Sequence, residues 1–168
     1  MRVMLVTMAV LLQAATAHAM QPAKANKVDR QTYCLAEIMQ NEAEQNTPGR
    51  VSVGLVVLTR AESGHWGPKG DICALRVPNE FNYLMTKKYG PVKKPSAETM
   101  ADAKQMMHGL KIGKPTLEPA LQKQLAGSQY FHNPSSKPNW RKKFVKKGFV
   151  ANHYIYYNPK QGLVLLYN

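Results

Sequence analysis

Apolar residues recur at the spacing of a helix between residues 30 and 45. They form one stripe at about 100° per residue, and its members are Cys34, Leu35, Ile38 and Met39. Glu42 falls inside this stripe, whereas Glu37 and Glu44 fall on the opposite, polar side. A carboxyl group on a core-facing stripe either pairs with a cation or has its pKa raised by burial. Since a raised pKa suits a general acid, Glu42 is the first candidate catalytic residue. The alternative is a Glu42 at the helix end that reaches solvent or an Arg.

Residues 51–58 are almost wholly apolar and are predicted to form a second, buried helix. Thr47 is a suitable N-cap and Pro48 a suitable first helical residue, and the run closes near Arg60. Gly54 would let another helix pack closely against this one. The β-branched content also fits a strand, so the pattern by itself leaves that alternative open.

Two further helices are predicted after a loop-rich stretch. Residues 61–95 hold many glycines and prolines, and a loop of that length in a compact domain is usually functional. The third helix begins after Ser96 as its N-cap and extends to Leu110, with apolar residues on one face. Thr116 is the expected cap of a short fourth helix that ends near Ala126.

Extended segments dominate the C-terminal part of the sequence. Strands are predicted at 130–132, 149–157 and 163–167, and the last two are expected to pair through a turn at 158–162 that contains Pro and Gly. Helices followed by a small antiparallel sheet are typical of α+β architecture. We therefore predict a helical core with a small antiparallel sheet at its C-terminal end.

The N-terminal residues resemble a targeting segment. Residues 1–19 combine a positive start, a short apolar run and a small-x-small cleavage site that ends at Ala19. We therefore expect an exported protein of the periplasm, the wall or the medium, with one domain over 20–168 that begins near Met20. The apolar run is too short for a good transmembrane anchor, although it could hold the protein briefly at the inner membrane.

The chain of 168 residues is strongly basic, with 23 Lys and Arg against 10 Asp and Glu and a formal charge of +13. A field of this sign favours polyanionic partners. The basic residues cluster late in the sequence, at Lys137, Arg141, Lys142, Lys143, Lys146 and Lys147. For an exported protein the expected partner is the anionic cell envelope and not nucleic acid. A solvated basic loop and a cytoplasmic nucleic-acid-binding protein are the alternatives.

The two cysteines are Cys34 and Cys73. In an oxidising compartment they could form a bridge that closes a loop of about 40 residues and stabilises the fold by about 3–4 kcal/mol in the chain-entropy model. Two separate buried thiols are the alternative. Neither the cysteines nor the histidines show the spacing of a metal site, so we expect no metal and no cofactor.

A set of short motifs carries a family resemblance. The sequence Cys34-Leu-Ala-Glu-Ile-Met-Gln-Asn-Glu-Ala precedes Pro48-Gly-Arg-Val-Ser-Val-Gly-Leu-Val-Val-Leu-Thr-Arg60. Later pieces follow in order: Ile72-Cys73, Glu80-Phe81-Asn82, Phe131-His132, Pro138-Asn-Trp140 and His153-Tyr-Ile-Tyr156. Together they resemble the SleB/CwlJ-type cell wall hydrolases, which include spore-cortex-lytic enzymes, over about residues 33 to 157.

The resemblance implies a monomeric peptidoglycan-cleaving domain with a fold like that of lysozyme and the lytic transglycosylases. It also implies that Glu42 is the catalytic acid, since this residue and the following alanine match the family's Glu-Ala. Three positions depart from the family pattern: Asn46 stands at a second acidic position, and Thr59 and Asn82 replace the usual Asn and Ser. These departures affect substrate detail more than reaction type.

The reaction that the resemblance implies is cleavage of the MurNAc–GlcNAc β-1,4 bond. Ordinary glycosidases need two carboxylates. Only Glu42 is a strong candidate here, which favours a lytic transglycosylase that uses no water. Glu80 is the rival second carboxylate and would restore hydrolysis by a muramidase.

A phage endolysin and a bacterial wall-remodelling enzyme both fit. A non-catalytic peptidoglycan-binding protein, with Glu42 paired to Arg60, is a further alternative.

Rings that stack on sugars and side chains that hydrogen-bond to them are expected around the acid, because the partner is a glycan strand. The candidates are Phe81, Asn82, Tyr83, Tyr130, His132 and Trp140. Each aromatic residue among them could instead belong to the core. His153 fits a structural position in a strand better than a substrate contact.

Overall fold

The computed structural model describes residues 27–43, 46–78 and 80–167. The signal segment expected over 1–19 and the start expected near Met20 lie outside these residues. Within the described ranges, no helix is both long and apolar enough to cross a lipid bilayer.

Two long helices form the centre of the fold. Helix α1 spans Lys27–Glu42, so it ends at Glu42 rather than near residue 45, and helix α2 spans Thr47–Ser63. The apolar stripe of α1 is buried as predicted: Cys34, Leu35, Ile38 and Met39. Helix α2 is buried on all sides from Gly49 to Ala61, because other elements cover it throughout. The apolar segment 51–58 is therefore a core helix and not a strand.

The N-cap of α2 is Asn46, so the prediction of Thr47 is wrong by one position. The Asn46 side chain accepts a hydrogen bond from the backbone N–H of Gly49 at 2.9 Å. Thr47 therefore lies inside the first turn together with Pro48. Asn and Thr both cap helices well, and the sequence pattern does not separate two adjacent capping residues.

The stretch between α2 and the next long helix is tied to α1 by a disulfide. It holds two turns of 3-10 helix, Ile72–Leu75 and Asn82–Leu84, and the short helix α3, Thr86–Tyr89. A disulfide joins Cys34 of α1 to Cys73, with 5.3 Å between the two Cα atoms. The bridge that the sequence left open is therefore present, and it holds the stretch against one side of α1.

This arrangement buries a carboxylate that the sequence pattern placed on a polar face. Glu37 is only 5 % exposed. Its Oε1 lies 2.6 Å from Arg76 Nη2 and accepts a hydrogen bond from the Tyr83 hydroxyl at 3.3 Å. The expectation of a solvated Glu37 is wrong because the disulfide-tied stretch folds over this side of α1.

Helix α4 spans Ala97–Ile112 and packs closely on α2. Ser96 caps it as predicted, and its hydroxyl accepts a hydrogen bond from the backbone N–H of Thr99 at 3.1 Å. A Cβ added to Gly54 of α2 would lie 2.7 Å from Met106 Sδ of α4. Gly54 therefore permits the close helix contact that the sequence suggested.

Helix α5 spans Pro119–Gln124, and its N-cap is Glu118 rather than Thr116. The Thr116 hydroxyl donates a hydrogen bond to the backbone carbonyl of Gln105 in α4. The predicted cap is wrong because the helix begins only at Pro119, and the Thr116 hydroxyl lies against α4 instead.

A three-stranded antiparallel sheet follows the helices. Strand β1 spans Tyr130–His132, β2 spans Val145–Val150 and β3 spans His153–Tyr157, in the order β1-β3-β2. Ile155 of β3 is fully buried against the helices. The predicted α+β architecture, with a helical core and a small C-terminal sheet, is confirmed.

The strand boundaries differ from the prediction. A turn at Ala151 and Asn152, with φ values of 42° and 62°, divides the predicted strand 149–157 into the β2–β3 hairpin. Positive φ at both central residues suits the right-handed twist of a hairpin. The predicted strand 163–167 is wrong, because the chain turns through a 3-10 helix and packs Leu163 against Gly127 instead.

Candidate active site

A polar cavity of about 400 Å³ opens where the C-terminal ends of α1 and α2 meet the loop before Leu84 and one end of the sheet. Its lining residues are Asn41, Glu42, Arg60, Glu80, Asn82, Phe131, His132, Asn133, Ser136, Pro138, Trp140 and His153. The cavity therefore brings two carboxylates, one guanidinium, amides and aromatic rings to one place.

Glu42 is the last residue of α1 and lies half-buried at the wall of this cavity. Burial raises its pKa to about 7, although a backbone hydrogen bond from Tyr83 and the charge of Arg60 both act to lower it. Among the described residues, no ion pair includes Glu42. A large fraction of Glu42 therefore keeps its proton at neutral pH, as a general acid requires.

Arg60 is held in place at the base of the cavity. Its Nε donates a hydrogen bond to the backbone carbonyl of Gln129 at 2.7 Å. Three rings surround its guanidinium, with centroids 5.2 to 5.7 Å away: Trp66, Phe81 and Tyr130. Cation–π contacts of this kind favour the charged group in a desolvated place. The position of Arg60 is therefore set by the fold and not by Glu42.

The ion-pair partner of Arg60 is Glu80, whose Oε2 lies 3.2 Å from Arg60 Nη1. Burial lowers the pKa of Arg60, and the charge of Glu80 opposes that shift more strongly than the charge of Glu42 does. Glu80 therefore offsets part of the positive charge that acts on Glu42.

Aromatic side chains form the opposite wall. The His132 ring stacks on Tyr156 with 5.4 Å between centroids and meets the edge of Trp140 at 5.6 Å. His132 Nδ1 lies 2.7 Å from the Asn133 carbonyl and Nε2 lies 3.2 Å from the Tyr156 hydroxyl. Because protein atoms contact both ring nitrogens, the His132 ring is held in one orientation at the wall.

A second cavity, of about 550 Å³, lies elsewhere on the molecule and is mostly apolar. Its lining residues are Leu55, Thr59, Pro115, Pro119, Gln122, Lys123, Ala126, Leu165, Leu166 and Tyr167. None of these residues is an acid or a histidine, so the polar cavity around Glu42 is the candidate active site. Within the described ranges, no three His, Cys, Asp or Glu side chains come close enough together to hold a metal ion.

The greater part of the chain matches a known protein family. A family described as Cell Wall Hydrolase matches residues 44–157. This chain belongs to the cell wall hydrolase family. A search of curated proteins and a search of solved structures found no match. Membership implies that the protein is a peptidoglycan hydrolase.

The matched segment begins after Glu42. It includes Arg60, Glu80 and the aromatic wall of the cavity. The case for Glu42 in this cell wall hydrolase therefore rests on its burial and its position in the cavity.

Only some of the predicted substrate-binding residues of this cell wall hydrolase line the cavity. Asn82, His132 and Trp140 line it together with Glu42. Tyr130 does not line it and donates a hydrogen bond from its hydroxyl to Gln161 Oε1 at 2.7 Å.

Phe81 and Tyr83 are buried and do not line the cavity either. Phe81 is 1 % exposed and lies beside the Arg60 guanidinium, so it has no free face for a sugar. Tyr83 directs its hydroxyl to Glu37, and only its backbone hydrogen-bonds to Glu42. Both residues support the site from behind its wall.

Several lining residues were not predicted from the sequence. They are Asn41, Phe131, Asn133, Ser136 and Pro138. The Asn41 side chain bonds to both backbone groups of Lys93, at 2.9 Å in each case, and so fastens the loop before α4 to α1. The segment from Asn133 to Pro138 has no periodic pattern, so the sequence hinted at it only through its place after a predicted strand and through the family motif that begins at Pro138.

Proposed function

We propose that this cell wall hydrolase cleaves the MurNAc–GlcNAc β-1,4 bond as a lytic transglycosylase with Glu42 as its only catalytic carboxyl group. The observation that carries the proposal is the half-buried Glu42, whose pKa is raised to about 7, in a cavity lined by amide and aromatic side chains. A protonated carboxyl group at neutral pH can donate a proton to a leaving oxygen.

The reaction needs one proton donor that later becomes the acceptor. Glu42 donates its proton to the glycosidic oxygen, and the bond from that oxygen to the anomeric carbon of MurNAc breaks. The 6-hydroxyl oxygen of the same MurNAc then bonds to the anomeric carbon, and the Glu42 carboxylate accepts the hydroxyl proton. The products are a 1,6-anhydro-MurNAc end and a new GlcNAc end, and Glu42 regains its starting state.

Glu80 is the residue that a hydrolytic mechanism would use as its second carboxylate. It lines the cavity, but its carboxylate pairs with the Arg60 guanidinium at 3.2 Å. That carboxylate oxygen is therefore taken up by the guanidinium and is not open to an attacking water molecule. This pairing supports the transglycosylase mechanism over a water-using muramidase.

The cavity wall offers the groups that hold a sugar ring. Trp140 supplies an aromatic face, and Asn82 and Asn133 supply amide donors and acceptors. Asn82 and Asn133 are both exposed, so their amides are open to an incoming strand. We expect these three side chains to contact the two sugars that flank the scissile bond.

The direct test uses Glu42→Gln, which keeps the side-chain shape but cannot donate the proton. Solubilisation of purified sacculi should fall by at least about 10²-fold. Glu98→Gln is the matched control, because Glu98 is 80 % exposed at the start of α4, and it should keep full activity. Unchanged activity in Glu42→Gln would remove the catalytic assignment.

We also propose that the protein acts outside the cytoplasm on an anionic envelope. The Cys34–Cys73 disulfide suits an oxidising compartment. Arg141 and Lys142 lie in the same 3-10 turn as Trp140, next to the cavity, where they would attract anionic wall polymers. N-terminal sequencing of exported material should show a start near Met20, and an intact first methionine on membrane-held protein would contradict signal cleavage.

A further inference from the structure

A row of three aromatic rings crosses the sheet, starting at the cavity. His132 of β1 is paired with Tyr154 of β3, and Tyr154 is paired with Phe149 of β2. Residues that pair directly across antiparallel strands point to the same face. The ring centroids are 5.3 Å apart for the first pair and 4.7 Å apart for the second. The row therefore leads from the cavity wall to the edge of the sheet.

Exposure increases along this row. His132 is buried at the cavity, Tyr154 is partly exposed and Phe149 is 52 % exposed. An aromatic cross-strand pair alone would account for the contact between Tyr154 and Phe149. Such a pair does not explain why the Phe149 side chain is half exposed to solvent at the end of a row that begins in the cavity.

Positive charge accompanies the exposed end of the row. Lys146 Nζ lies 4.2 Å from the centre of the Tyr154 ring. Lys142 and Lys143 are exposed in the segment just before β2. Glycan strands of peptidoglycan carry stem peptides with free carboxylates. Aromatic rings on the surface therefore complement the sugars, and lysine amines complement the carboxylates.

We infer that the row His132–Tyr154–Phe149 with Lys146 binds the glycan strand beyond the cavity, with the rings under sugars and the amine near a stem-peptide carboxylate. The inference rests on the proposed function, because it extends the same site. It specifies the substrate as a long, peptide-bearing strand rather than a short oligosaccharide.

Binding is tested in the full chain with Glu42→Gln, so that sacculi are bound without being digested. Adding Phe149→Ala should weaken co-sedimentation with purified sacculi by about 3–10-fold, the scale of one aromatic contact. Ile112→Ala is the matched control, because Ile112 is also exposed, at 47 %, but lies at the C-terminal end of α4. Equal affinity of the Phe149→Ala and Ile112→Ala proteins would overturn the inference.

Two further variants separate binding from hairpin stability. Phe149→Leu keeps an apolar side chain but loses the flat face, so it should bind sacculi as weakly as Phe149→Ala. Phe149→Trp should bind at least as well as the parent. A leucine variant with full affinity would show that only hairpin packing matters and would overturn the inference.

Kinetics with the catalytic Glu42 present add an independent readout. Phe149→Ala should raise KM for sacculi by about 3–10-fold, as in the binding assay. It should leave cleavage of a short soluble glycan fragment unchanged, because such a fragment does not reach Phe149. An equal effect on both substrates would contradict a remote binding surface. Because the binding assay uses a protein without the acid, failure of this inference and failure of the transglycosylase mechanism give separate results.

Discussion

Arg60 pairs with Glu80 at 3.2 Å, although Arg60, Glu80 and Glu42 all line one cavity. The guanidinium is also fixed by Gln129 and by three rings, so it does not move freely between the two carboxylates. Glu80 therefore offsets charge on Arg60, while burial raises the pKa of Glu42.

The first prediction concerns Glu80→Gln. Without the Glu80 charge, Arg60 acts more strongly on Glu42, and a positive charge lowers the pKa of a carboxyl group. The fall of activity with rising pH, which should lie near pH 7 in the parent, should move to lower pH in the variant. At low pH, where Glu42 is protonated in both proteins, the variant should keep most of its activity. A profile of kcat/KM against pH on sacculi measures this.

A loss of about 10²-fold or more at every pH would contradict this view of Glu80. It would show that Glu80 is a second catalytic carboxylate and that water is the nucleophile.

The second prediction concerns the stability of Glu42→Gln. Burial holds the pKa of Glu42 at about 7, above its ordinary value of 4.5, so the unfolded chain releases this proton at lower pH than the folded protein does. The contribution of Glu42 to the stability of the parent therefore falls as pH rises from about 4.5 through 7. Gln cannot ionise, so the variant should be more stable than the parent at about pH 8 and similar to it at about pH 4.5.

Thermal unfolding at the two pH values measures this difference, and each 1 kcal/mol corresponds to about 2–4 °C in a domain of this size. Glu98→Gln again serves as the control, because its carboxylate is exposed. A Tm difference between Glu42→Gln and the parent that is the same at both pH values would show that burial does not raise the pKa of Glu42.

The third prediction concerns the Cys34–Cys73 disulfide. The bridge closes a loop that includes α2 and holds the segment before Glu80 against α1. Cys34→Ser with Cys73→Ser should lower the free energy of unfolding by about 3–4 kcal/mol, since the unfolded chain gains freedom. Urea unfolding of the oxidised parent, the reduced parent and the double variant measures it, and the last two should agree. Non-reducing peptide mapping that finds two fully alkylatable thiols in folded protein would contradict the bridge.

The burial of Glu42 could be predicted from the sequence because the evidence for it is local. Helical periodicity depends on neighbouring residues, and it placed Glu42 on a buried stripe whose partners are within eight positions. The same argument failed for Glu37, because what covers that side of α1 is a distant stretch tied by the disulfide. Helical periodicity shows which face of a helix packs against the core. It does not show whether a distant segment of the chain also covers the opposite face.

The other residues of the cavity come from segments that no local pattern connects to Glu42. Arg60, Glu80 and Trp140 reach the cavity only after α2, the disulfide-tied stretch and the sheet have packed. The hairpin turn was missed for a related reason: Ala151 is a poor turn signal, whereas residues 158–162 carry Asn, Pro and Gly. The position of the turn depends on the twist of the paired strands, and that twist is a property of the whole sheet.

The central claim is that a single carboxyl group, Glu42, cleaves the glycan strand without water. The most direct measurement is mass spectrometry of the muropeptides released from purified sacculi in ¹⁸O-labelled water. Our account predicts that the new ends are 1,6-anhydro-MurNAc and carry no ¹⁸O, and that Glu42→Gln releases none of them. Reducing MurNAc ends that carry ¹⁸O would contradict the transglycosylase mechanism and show that the enzyme is a hydrolytic muramidase.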